Sequence, residues 1–301
     1  MKIPLAGIWR LTRFGEYVAF VVITTLLGAA AGGGKLGWPL IGVLVANWLA
    51  VGFAFMINDV EDAPDDALNP AKIRRNPVSA GSLSPALGRN LSFVVAGASG
   101  LLYALLGRGP LIAGAICLVL AYLYSWRRIR LKAIPIADLV SHGAMLAGLQ
   151  FLTAYLVFGN GAVREWIFPF SLVVAISLYG QLFNELRDFD GDVAAGVRHT
   201  ASFIGRRPAQ WLMFGWLAIG VIAAIMTFFV IRLVPWWALI LALAIAAVLF
   251  GARLAIRGRG RSSIALHQAF QKPIEGGVAL ALSTWFAGSS LLAVVRHFAA
   301  F

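Results

Sequence analysis

The chain predicts an all-α polytopic membrane protein, with nine transmembrane helices bundled around a central cavity as two four-helix pseudo-repeats plus one further helix. Cytoplasmic cap loops, about 58–86 and 188–208, complete a single membrane-embedded domain over residues 1–301. Three features point there. Hydrophobic residues make up 60% of the 301 residues and charged ones 13%, whereas globular domains average about 45–50% apolar and about 25% charged. Apolar runs near the ~20 residues that cross a bilayer recur from end to end. Nine of the thirteen carboxylates fall into two clusters, each at the end of such a run. Soluble enzymes, disulfide scaffolds and disordered tails are thereby excluded, and the single Cys117 rules out an intrachain disulfide.

In order, the runs are 14–34, 38–57, 87–107, 109–126, 136–158, 165–187, 209–231, 234–256 and 275–297. The stretch before the first, Met1 to Arg13, is short and weakly basic, and no small-residue cleavage site follows the run. The first run is therefore expected to be a retained span rather than a signal peptide. Within it, GAAAG (Gly28–Gly32) has small residues four apart, a spacing that lets helix backbones approach closely. Trp38, Trp126, Trp166, Trp211, Trp236 and Trp237 stand at run edges, as in an interfacial aromatic belt. Runs two and six are each followed by an acidic cluster. Runs four and eight are each followed by a basic stretch, WRRIRLK (Trp126–Lys132) and RLAIRGRGR (Arg253–Arg261). That alternation is the internal repeat.

A net charge of +12 has a plain explanation in such a chain. Twenty of the 25 Lys and Arg residues lie in the N-terminal segment and in the loops and flanks after even-numbered spans, and five lie on the opposite side. Cytoplasmic loops carry the excess of basic residues. The N-terminus and both acidic clusters are therefore expected in the cytoplasm and the C-terminus outside. Anionic lipid headgroups are the natural partners of the basic loops, at about 1 kcal/mol per residue near the surface. Nucleic acid is not needed to explain the charge.

The first acidic cluster is Asp59, Glu61, Asp62, Asp65 and Asp66; the second is Glu185, Asp188, Asp190 and Asp192. A carboxylate drawn toward the bilayer centre costs about 2.5–3.5 kcal/mol, so this crowding calls for compensation. Hard divalent cations with oxygen ligands supply it, and Mg²⁺ characteristically shares its shell with water and substrate phosphates. Asn58, Asp62 and Asp66 lie four residues apart, on one face of a continuous helix. Asp188 and Asp192 repeat the step. Pro64 removes a helical hydrogen bond, so the helix is expected to end or kink near Asp62 and leave Asp66 on a loop, with Gly191 loosening the second cluster. Two carboxylate sets brought together with Arg and Lys form a site for a metal-bridged polyanion such as a diphosphate.

These residues carry a resemblance. NDVEDAPDD (Asn58–Asp66) is similar to the NDxxDxxxD signature of the UbiA superfamily of intramembrane prenyltransferases, and DFDGD (Asp188–Asp192) to its second DxxxD motif, continuing to Gly196. RRNPVSAGSLSP (Arg74–Pro85) resembles the family's RPxxSGxxS loop, with Asn76 interrupting the Arg-Pro pair. LYSWRRIRLK (Leu123–Lys132) resembles its Tyr-Ser and basic residues after the fourth span.

The resemblance implies a nine-helix fold and transfer of a polyprenyl group from an allylic prenyl diphosphate to a lipophilic acceptor: an aromatic quinone precursor, an ether lipid or a carotenoid. It implies Mg²⁺ held by Asn58, Asp62, Asp66, Asp188 and Asp192, the four aspartates being catalytic. Asn58, Asp59, Arg75, Tyr124, Ser125, Arg130, Lys132 and Arg198 are the implied contacts to diphosphate and substrate. Many members also carry a Tyr and a Lys eight and four residues before the second motif, where this chain has Gly180 and Asn184. The missing cation leaves Arg198, Arg130, Lys132 or Arg75 to neutralise diphosphate. Within the same fold, a polyprenyl-phosphate phosphoribosyltransferase and a membrane terpene cyclase are the alternative activities, and a cation transporter is the alternative outside it. The four histidines show no metal-ligand spacing.

Overall fold

A computed structural model describes residues 5–68, 70–159, 163–194, 196–257 and 263–298, with the side chains at 71, 163–164, 253–257, 263–269 and 290–298 set aside. Among the described residues the chain is all helix, with no strand. A short α1 (Leu5–Thr12) precedes α2 (Phe14–Ala31), α3 (Trp38–Asp66) and the single turn α4 (Pro70–Ile73). Two antiparallel spans follow, α5 (Pro85–Leu106) and α6 (Arg108–Ser125). The next span is assembled from α7 (Ala137–Gly143), a π-helical turn at Ala144–Gly148, and α8 (Leu149–Phe158). The long α9 (Val163–Ala194) leads through α10 (Thr200–Ile204) to α11 (Arg206–Ile225), α12 (Trp236–Arg257) and α13 (Ser263–Phe298).

Seven of these helices are long and apolar enough to cross a membrane among the described residues, the first starting at Phe14 and the seventh ending at Val230. The eighth run maps to α12, whose described apolar stretch, Trp236–Ala252, is shorter, and the ninth to α13. The side chains of the second basic run, Arg253–Arg261, lie outside the described residues. Large apolar side chains face outward along the spans, among them Leu101, Ile112, Ile222 and Leu243. Trp38, Trp211 and Trp236 are about three-quarters exposed near helix starts, as interfacial anchors are. The chain is an integral multi-pass membrane protein.

One core joins both halves of the chain. Leu27 of α2, Val43 of α3, Phe151 of α8, Val173 of α9, Ala238 of α12 and Leu282 of α13 belong to the same buried cluster. The GAAAG spacing is used here, inside the chain. A β-carbon on Gly28 would collide with the Phe151 carbonyl oxygen, and one on Gly32 would lie 2.8 Å from the Tyr155 carbonyl oxygen. Glycine at both positions lets α2 lie directly on α8. Polar glue reinforces the seam. Buried Asn47 donates to Thr25 Oγ1 and to the Gln150 carbonyl, both at 2.9 Å, and accepts from Tyr103 at 2.7 Å and Thr153 at 2.8 Å. With no water at this depth, each group must find its partner within the protein.

The two acidic clusters depart from expectation in the same direction. α3 continues unbroken through Pro64 to Asp66, so Asp66 stands on helix, and the first cap begins after it rather than at 58. Side chains from that cap hold the carbonyls around the proline: Asn76 Nδ2 donates to the Asp59 carbonyl at 2.7 Å and Ser79 Oγ to the Ala63 carbonyl at 3.0 Å. Local propensity is overridden by a loop that packs back. Likewise α9 runs through Gly191 to Ala194, so DFDGD is wholly helical.

Candidate active site

The carboxylate ends of α3 and α9 are held by three connecting segments: the loop after α4, the loop after α6, and α10. Asn58, Asp62 and Asp66 share one face of α3, and each meets a different partner. Asn58 donates to Ser125 Oγ at the end of α6, at 3.2 Å. Asp62 accepts from Lys132 and, at 3.2 Å, from Arg130. Asp66 accepts from Asn76 at 3.0 Å. Arg130 is set by backbone of unusual shape, in the left-handed region at φ 50°, and its guanidinium also reaches Asp65 at 2.8 Å. Such backbone persists only where surroundings over-determine it. Burial disfavours the charged form of Lys132 and lowers its pKa, although Asp62 opposes the shift.

On α9 the partners are fewer and closer in sequence. Asp188 pairs with its neighbour Arg187 at 2.7 Å and is half exposed. Asp190 points to solvent and pairs with Arg206 at 2.5 Å. Asp192 meets His199 Nε2 at 3.0 Å. The other ring nitrogen of His199 lies 3.2 Å from Glu185, which is buried and accepts from Gln181 at 2.9 Å and from the Ala201 N–H at 3.0 Å. Burial opposes a charge on His199, but the Asp192 and Glu185 carboxylates outweigh it and push its pKa up to about 9.

A path of polar contacts, with one step along the chain, joins the two ends. From Asn58 it passes to Ser125, whose neighbour Tyr124 accepts from Gln181 at 3.5 Å, and thence to Glu185, His199 and Asp192. A second strap lies alongside. The loop bearing Arg130 and Lys132 runs on to Ile136, whose N–H bonds Thr200 Oγ1 at 2.7 Å, and to buried Asp138, which accepts from the Thr200 N–H at 2.5 Å. Residues 62, 124, 125, 130 and 132 of the expected set thus share one end of the bundle with Asp192.

Three expected contacts stand apart. The Asp59 carboxylate is engaged by Arg13 at 3.2 Å, and Arg13 in turn lies over the Phe55 ring. Arg75 is drawn to Glu16 at 2.8 Å. Arg198 is exposed and pairs with no described carboxylate. Of the four cations left open by the missing Lys, Arg130 and Lys132 are the two that face a motif aspartate. Five other residues went unassigned from sequence: Asn76, Asp138, Gln181, Glu185 and His199. Asn76 stood out in the sequence as an interruption of the Arg-Pro pair, and that was its signal. Asp138 and His199 gave none, because their partners lie across a loop. His142 lies beside Tyr124, with ring centres 6.2 Å apart.

Known proteins share this architecture and its pattern. A UbiA homolog from Archaeoglobus fulgidus, solved with GPP and Mg²⁺ bound, superposes with a TM-score of 0.70 at 20% identity, covering 93% of this chain and 98% of its own. In sequence, the digeranylgeranylglyceryl phosphate synthase of Natronomonas pharaonis is 27% identical over 72% of this chain and 76% of its own length. The lycopene elongase/hydratase of Haloarcula japonica is 29% identical over 79% and 78%. The UbiA prenyltransferase family model matches residues 21–271, from the first span into the last helix and across both acidic motifs. With its sequence matched over that length, this chain belongs to the UbiA prenyltransferase family.

Proposed function

We propose that this prenyltransferase uses Mg²⁺ to move a polyprenyl group from an allylic prenyl diphosphate to a lipophilic acceptor, at the cytoplasmic face. The observation that carries the reading is the path of polar contacts from Asn58 to Asp192, which ties two acidic motifs 122 or more residues apart to one end of the bundle. The donor set suits a hard cation. Asp66 and Asp192 each have one oxygen engaged, by Asn76 and His199, and the second oxygen takes no hydrogen bond from a described residue. Asn58, Asp62, Asp66, Asp188 and Asp192 would hold Mg²⁺. When bound, the ion neutralises diphosphate and makes it a better leaving group.

The chain's own side chains do the rest. Lys132 and Arg130, already facing Asp62, donate to diphosphate oxygens as charge develops there, in the manner of preorganised electrostatic stabilisation. Tyr124 and Ser125 position the anion. The carbon–oxygen bond breaks with its electron pair leaving on diphosphate, the prenyl carbon bonds to the acceptor, and the acceptor gives up a proton. Apolar helix faces keep water from the allylic cation, and aromatic rings favour it through their quadrupoles. The names of the relatives favour an ether-lipid or carotenoid acceptor over a quinone precursor. The caps that follow Asp66 and Ala194 close the site on the basic side of the membrane.

Purified protein incubated with Mg²⁺, radiolabelled geranylgeranyl diphosphate and either a glyceryl phosphate ether lipid or a carotenoid tests this. Label in an alkylated acceptor is the expected result. A cyclic hydrocarbon as sole product, or lipid labelled from phosphoribosyl diphosphate instead, overturns it.

A further inference from the structure

We propose that His199 is a positioning residue that sets the carboxylate of Asp192 toward the cation site, a role built from the seven-residue return of the chain after the second motif. The inference rests on Asp192 being a cation ligand. Asp192 is the third residue from the C-terminal end of α9, where helices fray, and its carboxylate is a quarter exposed. Something beyond the helix must hold it. His199 is 5% exposed and supplies that hold, with Nε2 at 3.0 Å from Asp192 Oδ2.

The ring is itself locked. His199 is the N-cap of α10: its ring Nδ1 lies 3.2 Å from the Ser202 backbone nitrogen, and its backbone N–H donates to Ser202 Oγ at 3.0 Å. Nδ1 also faces Glu185 at 3.2 Å. A neutral ring with its hydrogen on Nε2 can accept from Ser202, and a protonated ring can donate to Glu185. In both forms Nε2–H points at Asp192. One oxygen of the carboxylate is therefore pinned and the other is left for a cation. This is how partners beyond the ligands orient metal sites, where their loss costs about 10–100-fold in affinity.

The test uses detergent-solubilised full-length protein and Mn²⁺ alone as probe, with free Mn²⁺ read by electron paramagnetic resonance. His199→Asn keeps a favourable N-cap but falls short of Asp192, whereas His199→Gln extends a donor to about the Nε2 position. Expected are about 10–100-fold weaker Mn²⁺ binding in His199→Asn and affinity close to wild type in His199→Gln, with similar unfolding temperatures. Wild-type affinity in His199→Asn, while Asp192→Asn is weakened, overturns the positioning role and leaves Asp192 a ligand. Wild-type affinity in Asp192→Asn overturns the ligand assignment itself. Ser202→Ala removes the Oγ half of the capping box and spares Nε2, so a loss there equal to that of His199→Asn reduces His199 to a capping residue and overturns the proposal.

Discussion

The two acidic motifs have the same i, i+4 spacing and are held in opposite ways. On α3 two of the three side chains take their partners from a distant segment, Asn58 from 67 residues away and Asp62 from 68 and 70, while Asp66 is held by the cap that follows it, 10 residues on. On α9 the partners are local, Arg187 beside Asp188 and His199 seven residues from Asp192. The α3 aspartates Asp62 and Asp66 are partly buried and Asp188 is half exposed. A pre-formed half and a more open half can divide the labour of a binding site.

Substitutions can break or sharpen that contrast. The largest expected effect is on chemistry: Asp62→Ala or Asp188→Ala lowers turnover by at least about 10³-fold, since under the proposed function each removes a cation ligand at the developing charge. Near-normal turnover of labelled prenyl diphosphate in both variants would refute the assignment. Lys132→Met comes next, with about 10²-fold lower kcat expected for one lost donor. An equal loss in Arg75→Ala would contradict the placement of the two side chains.

Asn76→Leu tests the rigidity of the first half. It strips a buried donor from both Asp66 and the Asp59 carbonyl, and a buried group left unpaired costs about 1–3 kcal/mol. A lower unfolding temperature together with weaker Mn²⁺ binding is expected; unchanged values for both would show that the cap does not hold α3. The second half is expected to answer to pH instead. His199 has a folded pKa of about 9, above the ~6.5 of an unperturbed histidine. A raised value means the folded state binds the proton more tightly, so the contribution is complete below pH ~6.5 and is lost as pH rises through about 9. Metal-free wild-type protein should lose thermal stability over that window more than His199→Gln does; parallel curves would contradict it. The smallest effect belongs to Arg75→Ala, whose pair with Glu16 is exposed and worth about 0–1 kcal/mol. Its kcat should stay within about twofold of wild type, as expected for loss of a solvent-screened pair.

Much of this molecule was legible in advance because the signals were local. Apolar runs, tryptophans at their edges and carboxylates at i, i+4 are properties of neighbouring residues. What misled was local as well. Pro64 and Gly191 are helix breakers by propensity, yet both lie inside helices, since tertiary contacts outweigh a few kcal/mol of intrinsic preference. Asp59 matched the first motif and belongs to a different ion pair, because Arg13, 46 residues earlier in the chain, packs against it. Arg75 and Arg198 were equal in sequence to Arg130 and Lys132 as sources of positive charge. Only the course of the loops separates them.

The amino-acid sequence alone determined that the chain is an intramembrane helical protein with two acidic motifs and a basic loop, because composition and periodicity follow from the solvent each segment must face. Tertiary structure decided the pairings: Lys132 and Arg130 with Asp62, Asn76 with Asp66, His199 with Asp192. Those contacts depend on the directions in which loops return after each helix. Such directions are set by packing across the whole bundle, which no stretch of neighbouring residues encodes.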